Sequence, residues 1–187
     1  MTEPRLIAAG RAGTAEIARR EALPLAQVLR LLFQRVTAAA ERGDRITGYE
    51  DVAMASSIAT LAVEVASPRI TTPEGPGEAQ YAPGLGVVIF LRDMPREQLA
   101  MHMVCSQGGV DLGRLREGFF QPEDWPKLTE SAAYLSSLPI WIDDTPALGI
   151  VSLSEKVREI EAAWNREGTS TAVARKVALI LLDRSPP

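Results

Sequence analysis

Residues Leu85–Asp144 read LGVVIFLRDMPREQLAMHMVCSQGGVDLGRLREGFFQPEDWPKLTESAAYLSSLPIWIDD, and this stretch decides the fold. Gly86–Leu91 is an unbroken apolar run, the pattern of a strand buried on both faces of a parallel sheet. Pro95 opens a helix with Leu99, Met103 and Val104 on its inner side. PEDWPKLTESAAYL forms a second helix, anchored by Trp125, Leu128 and Leu135, and Pro139–Asp143 is a second buried strand. The order is therefore strand, helix, loop, helix, strand. The first strand runs out into an acid, Asp93, and the second into an acidic pair, Asp143–Asp144.

Working outward, VALILLD at 177–183 is a third apolar run, and it too ends in an acid, Asp183. Between the second and third runs, Ser152 and Glu155 have the spacing of a capping box for a helix carrying Val157, Ile160 and Trp164. Strands alternating with helices predict an α/β fold, with 86–91, 139–143 and 177–182 as neighbouring parallel strands. Upstream, Pro24 suits a first helical turn, and Leu25, Val28, Leu29, Leu32 and Val36 make one apolar stripe before Gly43. Residues 5–22 predict a short helix. Within 47–66, Leu61, Val63 and Val65 alternate, which predicts a strand. Residues 67–84, rich in Pro and Gly, read as a long loop.

The bulk composition narrows the function classes. A chain of 187 residues is long enough for one domain with a sizeable core, and 46% hydrophobic against 24% charged residues is a globular balance. A net charge of -4 excludes a global basic field for nucleic acid. No run approaches the length of a membrane span, and MTEPRLIAAGRAG lacks the apolar core of an export signal. The single cysteine, Cys105, has no partner for an internal disulfide and fits a reducing compartment, so a cytoplasmic location is expected.

Four features carry candidate chemistry. An apolar run ending in Asp, as at Asp183, aims a carboxylate at the Mg²⁺ shell of a bound nucleotide or, more simply, caps a buried strand. An acid after a parallel strand, as at Asp93, orients an attacking water or serves as a solvated strand end. The Asp143–Asp144 pair has the chemistry of a hard-cation ligand, but followed by Thr-Pro it also reads as an ordinary turn. His102 and Cys105 lie inside a helix with no nucleophile or base arranged around them, and read as packed residues.

Together these residues resemble the DnaB-type replicative helicase, a hexameric RecA-like motor. The resemblance is most specific from VVIFLRDMPREQLAMHMVCSQGG through PIWIDDTPAL. LPLAQVLRLLFQRV is similar to the family's linker helix, TGYED to the segment before its first core strand, RLIAAGRAGTAEIA to the tail of its N-terminal domain, and VALILLD to its Walker B strand. The resemblance implies a truncated RecA-like parallel sheet flanked by helices and preceded by a linker helix. It divides the chain into a helical remnant and linker at 1–45 and a partial RecA-like domain at 46–187.

It also implies site residues and departures. Asp93 falls where the family has the catalytic Glu of Ser-Leu-Glu-Met, and Asp183 keeps the Walker B acid that holds Mg²⁺. Where the family has Ala-x-Pro-Ser-x-Gly-Lys-Thr, the chain has ASPRITT at 66–72, without Gly-Lys; the first lysine is Lys127. The helix expected after that loop reads as deleted, and the family's DNA-contacting loops and intersubunit arginine fall beyond Asp183. A phosphate loop supplies both binding and charge stabilisation. The resemblance therefore implies a protein without ATPase activity of its own, with no cofactor, acting by binding a helicase subunit or itself, and with weak DNA binding at most. Two alternatives stand beside it: an ATP- and Mg²⁺-dependent helicase domain with an atypical or chain-completed site, and a decayed remnant. Leu25, Leu29, Leu32 and Val36 are the candidate partner-binding face; the helix either docks on a neighbouring chain or folds back on its own core, and one stripe does not decide between them.

Overall fold

A computed structural model of the chain describes residues 21–42, 53–71, 80–92, 94–117, 119, 121–145, 150–167 and 177–182. In chain order, β1 (Leu23–Pro24) leads directly into α1 (Leu25–Arg42), followed by α2 (Ala53–Ala66). β2 (Arg69–Thr71) and β3 (Gln80–Ala82) precede β4 (Gly86–Phe90). Then come α3 (Arg96–Gly108), α4 (Leu112–Arg116), α5 (Asp124–Ser136), β5 (Ile140–Asp143), α6 (Ile150–Glu167) and β6 (Val177–Leu182).

The three apolar runs meet in one sheet as the sequence predicts. β4 is central and pairs parallel with β5 on one side and β6 on the other, so the order is β1-β5-β4-β6. β1 adds a short antiparallel edge, with Leu23 opposite Ile142 and Pro24 opposite Trp141. Proline is tolerated there because a two-residue edge strand asks little of its missing N–H.

The alternation of side chains along the strands makes two apolar layers. Val87, Ile89 and Leu91 with Ile140 and Ile142 face α1, α2, α3 and α5 in the larger core. Val88, Phe90 and Trp141 face the other way and pack on Ile160, Val157 and Trp164 of α6. The result is a helix–sheet–helix sandwich, mixed α/β with a mostly parallel sheet, consistent with part of a RecA-like domain. No helix among the described residues is long and apolar enough to cross a membrane.

The strand predicted from Leu61, Val63 and Val65 is instead the helix α2. Its buried residues are Ala55, Ile58, Ala59, Ala62 and Ala66, a stripe at helical spacing, while Leu61 is 43% exposed. Alanine carries most of the packing face here; of the larger side chains that suggested alternation, Val63 and Val65 are only partly buried against the core and Leu61 faces out. Small side chains let α2 approach α3 and β4 closely. The loop predicted for 67–84 is also corrected in part, since β2 and β3 form an antiparallel ladder with Ile70 opposite Tyr81. Gly84 passes the end of α2 so tightly that a Cβ would sit 1.7 Å from the Ala66 carbonyl oxygen. The chain is held there by the Leu85 N–H donating to the Val65 carbonyl at 3.2 Å.

The predicted helices at 95–106 and 122–136 correspond to α3 and α5. α3 ends on Gly109, whose φ of 62° gives the left-handed turn that glycine adopts without strain. α6 begins at Ile150, so Ser152 lies inside the helix and not at its cap. The predicted helix at 5–22 falls almost wholly outside the described residues.

Candidate functional site

Parallel α/β sheets bind ligands at the carboxyl ends of their strands. Here those ends are level: Phe90 is opposite Asp143 on one side and Leu182 on the other. The Leu91 N–H donates to the Asp143 carbonyl at 2.7 Å and extends the ladder by one bond. Asp93 and Asp183, the predicted catalytic and Mg²⁺-binding acids, follow β4 and β6 in sequence but lie outside the described residues.

The acids that are described at this end form two separate ion pairs. The Asp143 side chain is fully buried. Its Oδ2 pairs with Nζ of Lys156 on α6, and its Oδ1 accepts the Thr145 N–H at 2.8 Å. Lys156 Nζ also donates to the Thr145 hydroxyl at 3.0 Å. Asp144 turns instead towards α3. It pairs with Arg96, whose Nε donates to Oδ1 at 2.9 Å and whose backbone N–H donates to Oδ2 at 3.3 Å. Pro95 stands at the N-cap of α3 with no side-chain cap of its own. Asp144 therefore supplies, from just past the end of β5, the acceptor that the first turn lacks, and its charge suits the helix N-terminus.

The adjacent carboxylates thus diverge, one to α6 and one to α3, each held by its own cation. The turn reading of Asp-Asp-Thr-Pro matches the bond from the Thr145 N–H to the Asp143 carboxylate. Among the described residues no group of three His, Cys, Asp or Glu side chains could hold a metal ion. Sequence reasoning missed both cations. Arg96 and Lys156 sit on helices in ordinary charged patterns, 48 and 13 residues from their partners, and no motif links them.

The candidate partner-binding face is occupied within the chain itself. Leu25, Leu29, Leu32 and Val36 are 0%, 2%, 1% and 3% exposed. They belong to the larger core, and α1 lies across α3, α5 and the edge of β5. Of the two placements that the stripe left open, the fold has the helix on its own core.

His102 and Cys105 are both buried in α3, as the packed reading expects. Burial pushes the Cys105 thiol up from 9.0 to about 12, helped by the nearby negative charges of Asp111 and Asp124. A thiol this weakly acidic is a poor nucleophile. The native protein at pH 8 is therefore expected to react with a small alkylating reagent about 10³ times more slowly than the urea-unfolded chain, in proportion to the thiolate fraction. Comparable rates would show that Cys105 is accessible and ionised. The same shift makes folding pH-dependent. Stability from keeping the thiol neutral is complete below pH 9.0 and is lost as pH rises towards about 12.

Comparison with known proteins gives a consistent result. Residues 53–173, more than half of the chain, match the family described as the DnaB-like helicase C terminal domain. The chain is 40% identical over 75 residues to the replicative DNA helicase DnaB of Geobacillus stearothermophilus, covering 40% of this chain and 16% of that protein. It is 40% identical over 78 residues to DnaB of Synechocystis sp., covering 42% of this chain and 9% of that protein. It is 40% identical over 75 residues to the replicative DNA helicase DnaC of Bacillus subtilis, covering 40% and 16%. The matched segments are thus a small part of each relative's length.

Proposed function

The chain belongs to the DnaB-like helicase C-terminal domain family, and from that membership we propose that it is a binding element of a helicase assembly with no ATP turnover of its own. One observation carries this reading. The family's phosphate loop needs Gly-Lys-Ser/Thr ahead of the strand that bears the catalytic acid, and no lysine precedes Lys127 in this sequence.

The position of α2 sharpens the argument. The helix read from sequence as deleted has a counterpart upstream of the expected place, at 53–66, directly before the β2–β3 hairpin and β4. The family match begins at its first residue. A phosphate loop leading into α2 would fall in 43–52, GDRITGYEDV, which contains no lysine, serine or Gly-Lys pair. Loss of one comparable charge-stabilising donor costs about 10²–10³ in rate. The loss here is of a lysine together with the loop sequence around it.

The binding part of the proposal rests on α1. The contacts that hold α1 against α3 and α5 are the same contacts that a second copy would offer, so the helix can pass between copies without any new surface. A related helicase subunit with a similar groove is an equivalent host. Mixing two differently labelled preparations and recovering mixed oligomers would support the exchange; strictly monomeric behaviour at all concentrations, alone and with a full-length DnaB-type helicase, would sink it.

The second reading, a nucleotide site completed by another chain, is favoured by one specific feature: the scaffold of α2, β4, β5 and β6 persists without the loop. A melting experiment with Mg²⁺ and millimolar ATP separates the two. A ligand at about 100 times its dissociation constant adds roughly 2.7 kcal/mol, a shift that is readily measured. The expected result is no shift for the chain alone and none on adding a full-length helicase beyond that of the helicase itself. A Mg²⁺-dependent shift of the chain alone overturns the proposal. A shift only in the mixture supports the completed site.

A further inference from the structure

Residues Glu21–Pro24 carry the chain into α1, and they are gripped at two points. β1 ladders onto β5, opposite Ile142 and Trp141. Next to it, Nη1 of Arg96 donates to the Glu21 carbonyl at 2.9 Å. The Arg96 side chain is 8% exposed and that of Asp144 6%. Asp144 takes both Nε and Nη2 of the guanidinium, which fixes the plane of the fork and leaves Nη1 aimed at Glu21. A buried ion pair of this kind adds little stability over a well-packed apolar pair, so its presence needs another reason. Its geometry gives one, because the pair presents a rigid donor to the backbone just ahead of α1. An open cleft of about 440 Å³, lined by Glu21, Leu23, Leu31, Arg96, Glu97 and Asp144, lies over the contact and gives the segment room to lift.

We propose that Arg96, oriented by Asp144, is a latch on residues 21–24 that sets how readily α1 leaves its own core. Its meaning for assembly rests on the exchange of α1 proposed above; its effect on α1 does not. Lysine has the charge to satisfy Asp144 but has no planar fork to hold Asp144 and Glu21 together. Arg96→Lys should therefore release the latch without stranding a charge. A second variant, Arg96→Met with Asp144→Asn, removes the pair while keeping an acceptor for the α3 N-terminus.

The readout is amide hydrogen exchange, followed separately over 25–42, 86–90 and 96–108 in the full chain. Both variants are expected to speed exchange in α1 by about tenfold, the factor given by loss of one charge-assisted hydrogen bond, with β4 and α3 unchanged. Unchanged protection of α1 in both variants overturns the latch. Equal acceleration across all three segments also overturns it, because Arg96 would then be only structural. Mixing labelled wild-type chains tests the other reading: selective acceleration of α1 without mixed oligomers leaves the latch standing and removes the exchange.

Discussion

Leu29→Asp is expected to unfold the chain, not merely to strip it of partners. Leu29 is 2% exposed and packs with Leu25, Leu32 and Val36 into the core beneath α1. Truncating a buried leucine costs about 2–5 kcal/mol, and a carboxylate buried there without a partner costs several more or must take up a proton. A domain of this size holds only about 5–15 kcal/mol in total. Urea titration should therefore show Leu29→Ala folded with a lowered midpoint and Leu29→Asp without a cooperative transition. Leu31 provides the contrast: it is on the same helix but 39% exposed, and Leu31→Asp should keep a cooperative transition. If Leu29→Asp keeps the wild-type midpoint and only loses self-association, α1 does not belong to its own core and the placement of that helix is wrong.

Lys156→Met is expected to have the next largest effect. Its ammonium pairs with the fully buried Asp143, and its own side chain is 21% exposed. Without it the carboxylate keeps the Thr145 N–H but loses its counter-charge. Removing one partner of a buried pair costs about 3–5 kcal/mol, because the remaining charge is stranded. Asp143→Asn added to Lys156→Met should recover most of that loss, since the neutral amide can still accept from Thr145. Thermal or urea denaturation of the two single variants and the double variant measures the coupling. A cost below about 1 kcal/mol for Lys156→Met would mean that the pair behaves like a surface salt bridge.

The sheet was legible because its strands are buried on both faces. GVVIFL, PIWID and VALILL have no polar position to confuse the period, and each ends at an acid or turn. α2 was not legible for the opposite reason. Its inward face is made of Ala55, Ala59, Ala62 and Ala66, whose short side chains give a weak hydrophobic signal. Leu61, which is exposed, and Val63 and Val65, which pack only partly against the core, gave a stronger and misleading one. A strand at 61–65 places the expected phosphate loop after it, at 66–72, and leaves no helix before β4, whereas α2 occupies 53–66. The stripe on α1 was legible as apolar but not as to its host, because periodicity describes one surface and never its complement. The Arg96–Asp144 and Asp143–Lys156 pairs depend on how β5 is placed between α3 and α6, which only the tertiary fold determines. Asp93 and Asp183 remain expectations drawn from the resemblance.

The tryptophans have a use that their packing does not announce. Trp141 on β5 and Trp164 on α6 lie with ring centroids 4.6 Å apart and planes tilted by 59°. Two indoles that close and that oblique absorb as a coupled pair, so the seating of α6 is written into the near-ultraviolet circular dichroism. Trp125 on α5 is half-buried against the opposite layer. The chain therefore carries a built-in optical label on each side of its sheet. Detachment of α6 would erase the coupled signal while Trp125 continued to report the other layer, so the order in which the two layers come apart can be followed without any added dye.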